Sequence, residues 1–399
     1  MSITSTGTRS WVEVSARALR HNVAALRAMI GSERVLCVVV KANAYGHGMI
    51  EVARVISEER AFSGRGPVPR SVDADRREVG WFGVDSLPEA LAIRAVGIET
   101  PMIILGYVPI TDARAAVRAR VRVTVAEPAT MRALSAVAGR RVVRVHVKLE
   151  TGTQRQGVAP EALPAFLRIV RRLPGIWVEG VSTHLADVED TGPDGFAAVQ
   201  LAAFDRAAAI AEQMCGRRLL RHASATAATM LLAEGRHDFV RPGIGCYGLW
   251  PSDRTRAVME RRDPSARLFP VLKWKTMVGP LHEVPTGAPI GYGCTERVSR
   301  RTRIAVLPVG YWDGYDRKLS STGEVLIRGR RCKVLGRICM NMCMVDVTDV
   351  PRVRLEDEVV LLGKQGRAEV TAEELAGKVG TINYEVVTRI NPLLPRRVV

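Results

Sequence analysis

The sequence predicts an α/β fold, an N-terminal (β/α)8 barrel of the TIM type, followed by a smaller, mostly-β domain. Strand-like and helix-like segments alternate over the first two thirds of the 399 residues, which is typical of a parallel α/β architecture. Eight strand candidates occur before about residue 262. Beyond that point, short Val-, Ile- and Leu-rich segments separated by turn signals replace the alternation. We therefore place the barrel at 10–262 and the β domain at 263–399.

The predicted barrel begins with a helix and a buried strand. Ser15 can cap the helix, whose apolar stripe closes at Gly31. The strand at 35–40 is a run of apolar, mostly β-branched residues, as expected for a parallel strand buried on both faces. A glycine-containing loop and a helix at 49–56 follow. We count eight strand candidates, and helical segments rich in Ala, Leu and Arg separate most of them. The candidates are 35–40, 80–84, 102–106, 121–125, 142–148, 177–183, 219–224 and 238–244.

A doubly wound open sheet is the alternative arrangement of these elements. No G-x-G-x-x-G motif follows the first strand, which disfavours the dinucleotide-binding form of that fold. Residues 59–77 are rich in Gly, Pro and Arg and predict a long surface loop. A helix near 372–378 interrupts the strand-like segments of the second domain. Those segments lie near 271–284, 303–309, 324–328, 331–338, 343–347 and 358–363.

The composition argues against several classes of function. A net charge of +17 would by itself suggest a nucleic-acid partner. The basic residues are scattered, however, and only 5% of all residues are aromatic, so we expect no nucleic-acid binding. The seven cysteines are odd in number and widely spread, which indicates a reducing, cytoplasmic compartment and no metal site. Residues 1–10 lack the apolar core of a signal peptide, and the apolar segment at 196–214 is too polar to span a membrane.

Polar side chains follow several of the predicted strands, at the barrel end that carries the chemistry in this fold. Lys41 follows the first strand, and a lysine at an apolar barrel mouth can lose its proton and form a Schiff base. A lone lysine at a strand end is more often a solvated charge. This chain, however, has only eight lysines against fifty arginines. Other polar residues at strand ends and in the loops that follow are Tyr45, Lys148, Arg155, His184, Thr226 and Arg241.

Several separate motifs resemble those of the alanine racemases, a family of pyridoxal-phosphate enzymes built on a barrel. The family's cofactor-lysine motif is similar to residues 39–48, VVKANAYGHG. Its Lys-x-Asp/Glu-Thr-Gly-x-x-Arg segment is similar to 148–155, KLETGTQR. Its phosphate loop is similar to 241–249, RPGIGCYGL. Four signatures of its C-terminal domain resemble segments of the predicted β domain. These are 290–293 (IGYG), 309–314 (VGYWDG), 336–340 (GRICM) and 383–386 (NYEV).

The resemblance implies an alanine racemase that uses pyridoxal 5'-phosphate and supplies D-alanine for peptidoglycan. It implies that Lys41 carries the cofactor and is one catalytic base. Tyr292, the opposing base, comes from the partner subunit of a head-to-tail homodimer. Arg155 and the backbone of Met340 bind substrate, and Lys148 is a candidate for carbamylation. The implied cofactor-binding residues are Lys41, Tyr45, His184, Thr226, Arg241, Gly243, Ile244 and Tyr384.

Three positions depart from the family pattern, and one of them, Asn341, leaves the substrate range open. Ala225-Thr226 stands where Asn-Ser is usual, and Asn341 stands where Asp is common. A racemase for serine or for several amino acids is therefore an alternative. A fold-related decarboxylase is a more distant one, because it would be expected to place an acid where Arg241 stands. A pyridoxal-phosphate carrier would need no β domain with these motifs.

Overall fold

A computed structural model describes residues 8–59, 80–189, 195–264 and 266–399 and divides the chain into two compact units. The barrel unit comprises 18–44 and 52–269. The β unit comprises the residues up to 17 together with 45–51 and 270–399. Apart from Glu59, the predicted loop at 59–77 lies outside the described residues.

The division of the chain differs from the predicted one in three respects. The units separate at 269/270 rather than at 262/263, and 45–51 belong to the β unit. Residues 10–14, predicted as part of the barrel domain, form strand β1 (Ser10–Val14) of the β unit. This strand pairs antiparallel with residues 272–276, so its partner lies more than 250 residues along the chain and no local pattern identifies it.

The barrel unit contains all eight predicted strands in one parallel sheet, ordered β8-β7-β6-β5-β4-β3-β2-β9, which confirms the barrel prediction. Its two terminal strands are joined by backbone hydrogen bonds. Asp238 N donates to Arg221 O at 3.2 Å, and Arg241 N donates to Ser224 O at 2.8 Å. The strands are β2 (Val35–Val39), β3 (Gly80–Val84), β4 (Met102–Ile104), β5 (Arg122–Val125), β6 (Val143–Lys148), β7 (Ile176–Ser182), β8 (Leu220–His222) and β9 (Phe239–Val240).

One helix precedes the first barrel strand, and helices follow most of the strands. The preceding helix, α1 (Ala16–Ile30), buries the predicted stripe of Leu19, Val23, Leu26 and Ile30. It is followed by Gly31, whose φ of 82° suits a left-handed helix end. The others are α2 (Met49–Ser57), α3 (Leu87–Ala95), α4 (Ala113–Arg118), α5 (Pro128–Ala138), α6 (Leu163–Val170), α7 (Phe196–Cys215), α8 (Thr226–Leu231) and α9 (Asp253–Arg262). Within the described ranges, no helix has both the length and the apolar character needed to cross a membrane.

The β unit is built on a ten-stranded sheet ordered β11-β14-β17-β16-β15-β18-β10-β1-β20, with β19 paired to β18. The predicted strand at 271–284 is two strands, because Pro280 has no N–H to continue a ladder. The later strands are β10 (Leu272–Met277), β11 (Leu281–Val284), β12 (Pro289–Ile290), β13 (Glu296–Arg297), β14 (Thr302–Leu307), β15 (Glu324–Ile327), β16 (Arg330–Leu335), β17 (Cys343–Asp346), β18 (Glu358–Gln365), β19 (Ala368–Val370) and β20 (Arg396–Val398). Its helices α10 (Ala372–Val379) and α11 (Asn383–Thr388) follow β19.

Candidate active site

Lys41 lies just after β2, as predicted, but the segment after it is not an ordinary loop. The residues from Ala42 to Tyr45 all have φ of 53° or 54°, which makes one turn of left-handed helix. That conformation costs an L-residue roughly 1–2 kcal/mol. Four such residues in succession therefore store backbone strain beside Lys41, as is found at functional sites.

Glu89 of α3 fixes the start of this turn. Its carboxylate accepts hydrogen bonds from Ala42 N at 2.8 Å and from Asp85 N at 2.7 Å, which ties the ends of β2 and β3 together. Asp85 Oδ1 lies 3.4 Å from Lys41 Nζ. Neither carboxylate is among the site residues predicted from the sequence. The available signal was the position of Asp85 directly after the strand at 80–84.

Arg241 is buried directly after β9, and its guanidinium is held on several sides. Its Nη2 donates to Thr183 O at 2.8 Å and to Ala223 O at 3.0 Å, and its Nη1 lies 2.6 Å from His222 Nδ1. Burial lowers the pKa of Arg241 to about 10, so the group still carries its charge at neutral pH. It presents a fixed cation at the carboxyl ends of the strands.

A hydrogen-bonded chain runs from Arg241 into the barrel core. A guanidinium only donates, so His222 Nδ1 accepts and the ring proton of His222 resides on Nε2. This nitrogen donates to His146 Nδ1 at 2.7 Å, and His146 Nε2 then donates to Glu179 Oε2 at 3.2 Å. Burial and Arg241 hold the pKa of His222 well below its usual value. Burial also lowers the pKa of His146, so both rings are neutral. A single tautomer of each ring then makes all the hydrogen bonds from Arg241 to Glu179.

Glu179 ends this chain because of a β-bulge in β7. Val145 of β6 is paired with Val178, whereas His146 is paired with Gly180, so Glu179 is the extra residue. A bulge re-aims a side chain. Burial works to raise the pKa of this carboxyl, but Arg122 and His146 outweigh it and lower the value to about 2. Glu179 is thus a buried anion that balances the cationic end at Arg241.

His184, Lys148 and Arg155 add polar groups to the same rim of the barrel. Burial, reinforced by Arg241 and Lys148, lowers the pKa of His184 to about 3, so its ring is neutral. Burial and the charges of Arg241 and Arg155 also keep the pKa of Lys148 well below its usual value. No ion pair of Lys148 occurs among the described residues. The positive charge next to these groups comes from Arg241 and Arg155, and it favours an anionic ligand there.

The loop that carries Arg155 is folded around Glu150. Its carboxylate accepts from Gly152 N at 2.7 Å, from Arg155 N at 3.1 Å and from Thr153 Oγ1 at 3.0 Å. Burial tends to raise the pKa of Glu150, but the backbone N–H groups of Gly152, Gln154 and Arg155 outweigh it and lower the pKa to about 2. The Arg155 backbone is thus anchored, whereas its side chain is exposed.

The predicted phosphate loop lies against the amino end of α8. Thr226 Oγ1 accepts from Gly243 N at 3.0 Å and from Gly245 N at 3.4 Å, so its own hydroxyl proton remains available to a ligand. The Gly243 amide is engaged with Thr226, whereas Ile244 N has no acceptor among the described residues. A Cβ at Gly245 would lie 2.6 Å from Thr226 Cγ2, so this close approach requires glycine. These donors fit a phosphate.

Two predicted phosphate-binding tyrosines come together in the β unit. The ring centroids of Tyr45 and Tyr384 are 6.1 Å apart. The chain can bend at Gly46 only without a side chain, because a Cβ there would lie 1.9 Å from Val387 O. This contact holds the residues after Tyr45 against α11. The two phenol groups therefore share one region of the β unit.

Tyr292 and Met340 are exposed on the β unit, with 72% and 56% of their surfaces accessible. Glycines on both sides of Tyr292 have positive φ, 68° at Gly291 and 73° at Gly293. This backbone turns the tyrosine outward. Met340 O accepts from Trp312 N at 3.0 Å, so another exposed aromatic residue adjoins it. The structure thus distributes the predicted site residues over both units.

Family profiles match both units of the chain. The profile described as the N-terminal domain of alanine racemase matches residues 14–63 and 66–251. The profile described as the C-terminal domain of alanine racemase matches residues 271–398. The chain belongs to the alanine racemase family.

Individual members of the alanine racemase family match over almost their full lengths. The alanine racemase of Symbiobacterium thermophilum is 40% identical over 97% of this chain and 96% of the relative. The alanine racemase of Leptospira interrogans (strain Fiocruz L1-130) is 35% identical over 98% of this chain and 96% of the relative. The solved alanine racemase of Clostridium difficile 630 is 28% identical, with a TM-score of 0.87 over 99% of this chain and 97% of that one. The family prediction is confirmed.

Proposed function

We propose that this protein is an alanine racemase that interconverts L- and D-alanine with pyridoxal 5'-phosphate as cofactor. The observation that carries the proposal is the position of Lys41, at the carboxyl end of the first barrel strand on the rim that also bears His184 and Arg241. A lysine alone would be ambiguous. Its combination with an anion-attracting rim and with full-length similarity to alanine racemases favours this activity.

The proposed cofactor contacts follow from the chemistry of the donors. Lys41 holds the cofactor through Nζ. The hydroxyl of Thr226 and the amide of Ile244, ordered by Gly243, bind its phosphate, and Tyr45 and Tyr384 supply two further hydroxyls. His184 and Arg241 flank the ring. When bound, pyridoxal phosphate withdraws electrons from the substrate Cα and makes its proton removable.

Arg241 has a separate role in reaction specificity. Arginine can only donate, so it leaves the pyridine nitrogen without a proton of its own. The substitution Arg241→Glu is expected to raise the yields of the transamination and decarboxylation products of alanine, because an acid strengthens electron withdrawal. Chromatography of products from prolonged incubation measures this. In the matched variant Arg241→Lys the side-product yield is expected to stay low, and an equally low yield in both variants contradicts this role.

Racemisation requires a base on each face of Cα, and we propose Lys41 and Tyr292 for these roles. Tyr292 belongs to an exposed group of large side chains in the β unit that also contains Tyr311, Trp312, Met340 and Met342. Exposed aromatic and methionine side chains are typical of interface cores. We therefore propose a head-to-tail homodimer in which Tyr292 and the Met340 backbone complete the partner's site. A monomer would be inactive.

Substrate binding rests on Arg155, which we propose holds the carboxylate of alanine. Carbamylation of Lys148 would convert a cation beside Arg155 into an anion and relieve their repulsion. The low pKa of Lys148 supports this, because only the neutral amine reacts with carbon dioxide. We propose a cytoplasmic enzyme that supplies D-alanine for peptidoglycan. Serine is the alternative substrate, since Asn341 stands where the family often has Asp and so removes a charge near the substrate entrance.

The direct test is to incubate the pure protein with pyridoxal phosphate and L-alanine in D2O. We expect D-alanine to accumulate to equal amounts with L-alanine, with deuterium at Cα of both. Protein freed of its cofactor is the control and should give neither. A parallel series with other L-amino acids, beginning with L-serine, ranks the substrates. Absence of both D-alanine and deuterium from the complete reaction rejects the proposed activity.

A further inference from the structure

A cavity of about 270 Å³ opens at the amino ends of β5 and β6, the end of the barrel opposite to the rim that bears Lys41. Its lining consists of arginines and valines. The arginines are Arg120, Arg122, Arg141 and Arg144, and the valines are Val117, Val121, Val142 and Val143.

Two of these arginines are adjacent because of strand register. Val123 of β5 is paired with Val145 of β6, which places Arg122 beside Arg144, and like charges on neighbouring strands repel. Glu179 is the carboxylate that they share. Its oxygens lie 3.0 Å from Arg122 Nε and 3.4 Å from Arg144 Nε, so one buried anion serves both cations.

The other two arginines have no such compensation. Arg120 and Arg141 are exposed, and neither forms an ion pair with any residue that the structure describes. Elsewhere in the protein, arginines such as Arg328 and Arg331 meet carboxylates directly. Among the residues that the structure describes, Arg120 and Arg141 thus bring two uncompensated positive charges to the cavity, next to the pair that shares Glu179.

We propose that this cavity is a binding site for a compact anion bearing two or more phosphate groups. Guanidinium groups bind phosphate oxygens in pairs of charge-assisted hydrogen bonds, and several approach this cavity from two neighbouring strands. The valines form an apolar wall that limits the water competing for these donors. The amino ends of barrel strands do not carry catalysis in this fold, so the site is separate from the proposed cofactor site.

Inorganic pyrophosphate is the probe, and titration calorimetry of the holoenzyme at about 0.15 M ionic strength measures its binding. The cofactor must be present so that its own phosphate site is filled. We expect saturable binding of one pyrophosphate per chain and a raised Tm. In Arg120→Gln/Arg141→Gln, affinity should fall roughly ten- to a hundredfold, because donors to the ligand are lost, and the Tm increase should disappear.

The matched control is Arg132→Gln/Arg168→Gln, which removes two exposed arginines from α5 and α6. It lowers the net charge of the chain equally, and its affinity for pyrophosphate should equal that of the wild type. The proposal is overturned if the wild type shows no saturable binding. It is also overturned if both double variants weaken binding to the same extent, since the attraction would then come from overall charge. Racemase activity does not enter this comparison.

Discussion

Substituting Tyr292→Phe is expected to slow racemisation by about 10²- to 10⁴-fold, the usual contribution of a positioned acid–base group. The change removes only the hydroxyl that would exchange a proton with Cα on one face. Tyr292 is exposed and held outward by the backbone at Gly291 and Gly293, so folding and cofactor binding should be unaffected. The measurement is kcat for D-alanine formation from L-alanine, with cofactor occupancy determined by absorbance.

Isotope exchange distinguishes loss of one base from general damage to the site. With Lys41 intact, one enantiomer of alanine should still exchange its Cα hydrogen for deuterium, while exchange of the other enantiomer falls with racemisation. The matched control is Tyr311→Phe, another exposed tyrosine of the β unit, whose activity should exceed that of Tyr292→Phe by far. Equal loss of exchange from both enantiomers in Tyr292→Phe would contradict a two-base site.

The same variant also tests whether the site is shared between subunits. Lys41→Ala and Tyr292→Phe should each retain at most about 1% of wild-type activity, but mixing them under conditions that exchange subunits should restore activity. Each mixed dimer contains one site with both native residues. With random exchange, half of the dimers are mixed, so about a quarter of wild-type activity is expected. No recovery despite proven exchange would mean that both residues of a site come from one chain.

Substituting Glu179→Gln is expected to lower the free energy of unfolding by about 3–5 kcal/mol, the range for breaking a buried ion pair from one side. The side chain of Glu179 is fully buried, and Arg122, Arg144 and His146 would lose their shared anion. Gln can still accept a hydrogen bond but carries no charge. Urea unfolding followed by circular dichroism measures the change.

The pH dependence of this effect has a defined sign. The folded pKa of Glu179 is about 2, below its ordinary value of 4.5, so its stabilisation is complete above about pH 4.5 and is lost as pH falls toward 2. The difference in the free energy of unfolding between wild type and Glu179→Gln should therefore become smaller only below about pH 4.5. Asp349→Asn, at an exposed pair with Arg300, is the control and should change stability little. An unchanged free energy of unfolding in Glu179→Gln would contradict the stabilising role of this buried anion.

The barrel was predictable because mostly apolar strand segments alternate with helical segments over the first two thirds of the chain. The run at 35–40 and seven others all correspond to observed strands. Long-range pairing was not predictable in the same way. Strand β1 pairs with β10 and with β20, and a five-residue segment contains nothing that specifies partners at the other end of the chain.

Site residues that directly follow a strand could be predicted from the sequence, whereas those that lie inside a strand could not. Lys41 and Arg241 stand directly after apolar runs, so topology alone assigns them to one rim. His146 and Glu179 lie inside strands, and their contact depends on a bulge that shifts register by one residue. The left-handed turn from Ala42 to Tyr45 contains no glycine, so nothing in its composition predicts it. The hydrogen bond from Ala42 N to Glu89 is one contact that stabilises this turn.

Of the eight lysines in the chain, Lys41 is the one proposed to hold the cofactor. The most direct measurement is borohydride reduction of the holoenzyme followed by peptide mass spectrometry, which fixes the pyridoxyl group to the lysine that carries it. We expect modification of one lysine per chain, in the peptide that contains Lys41, and none after the same treatment of Lys41→Ala. A pyridoxyl group on Lys148 or another lysine, or none at all, would contradict the claim.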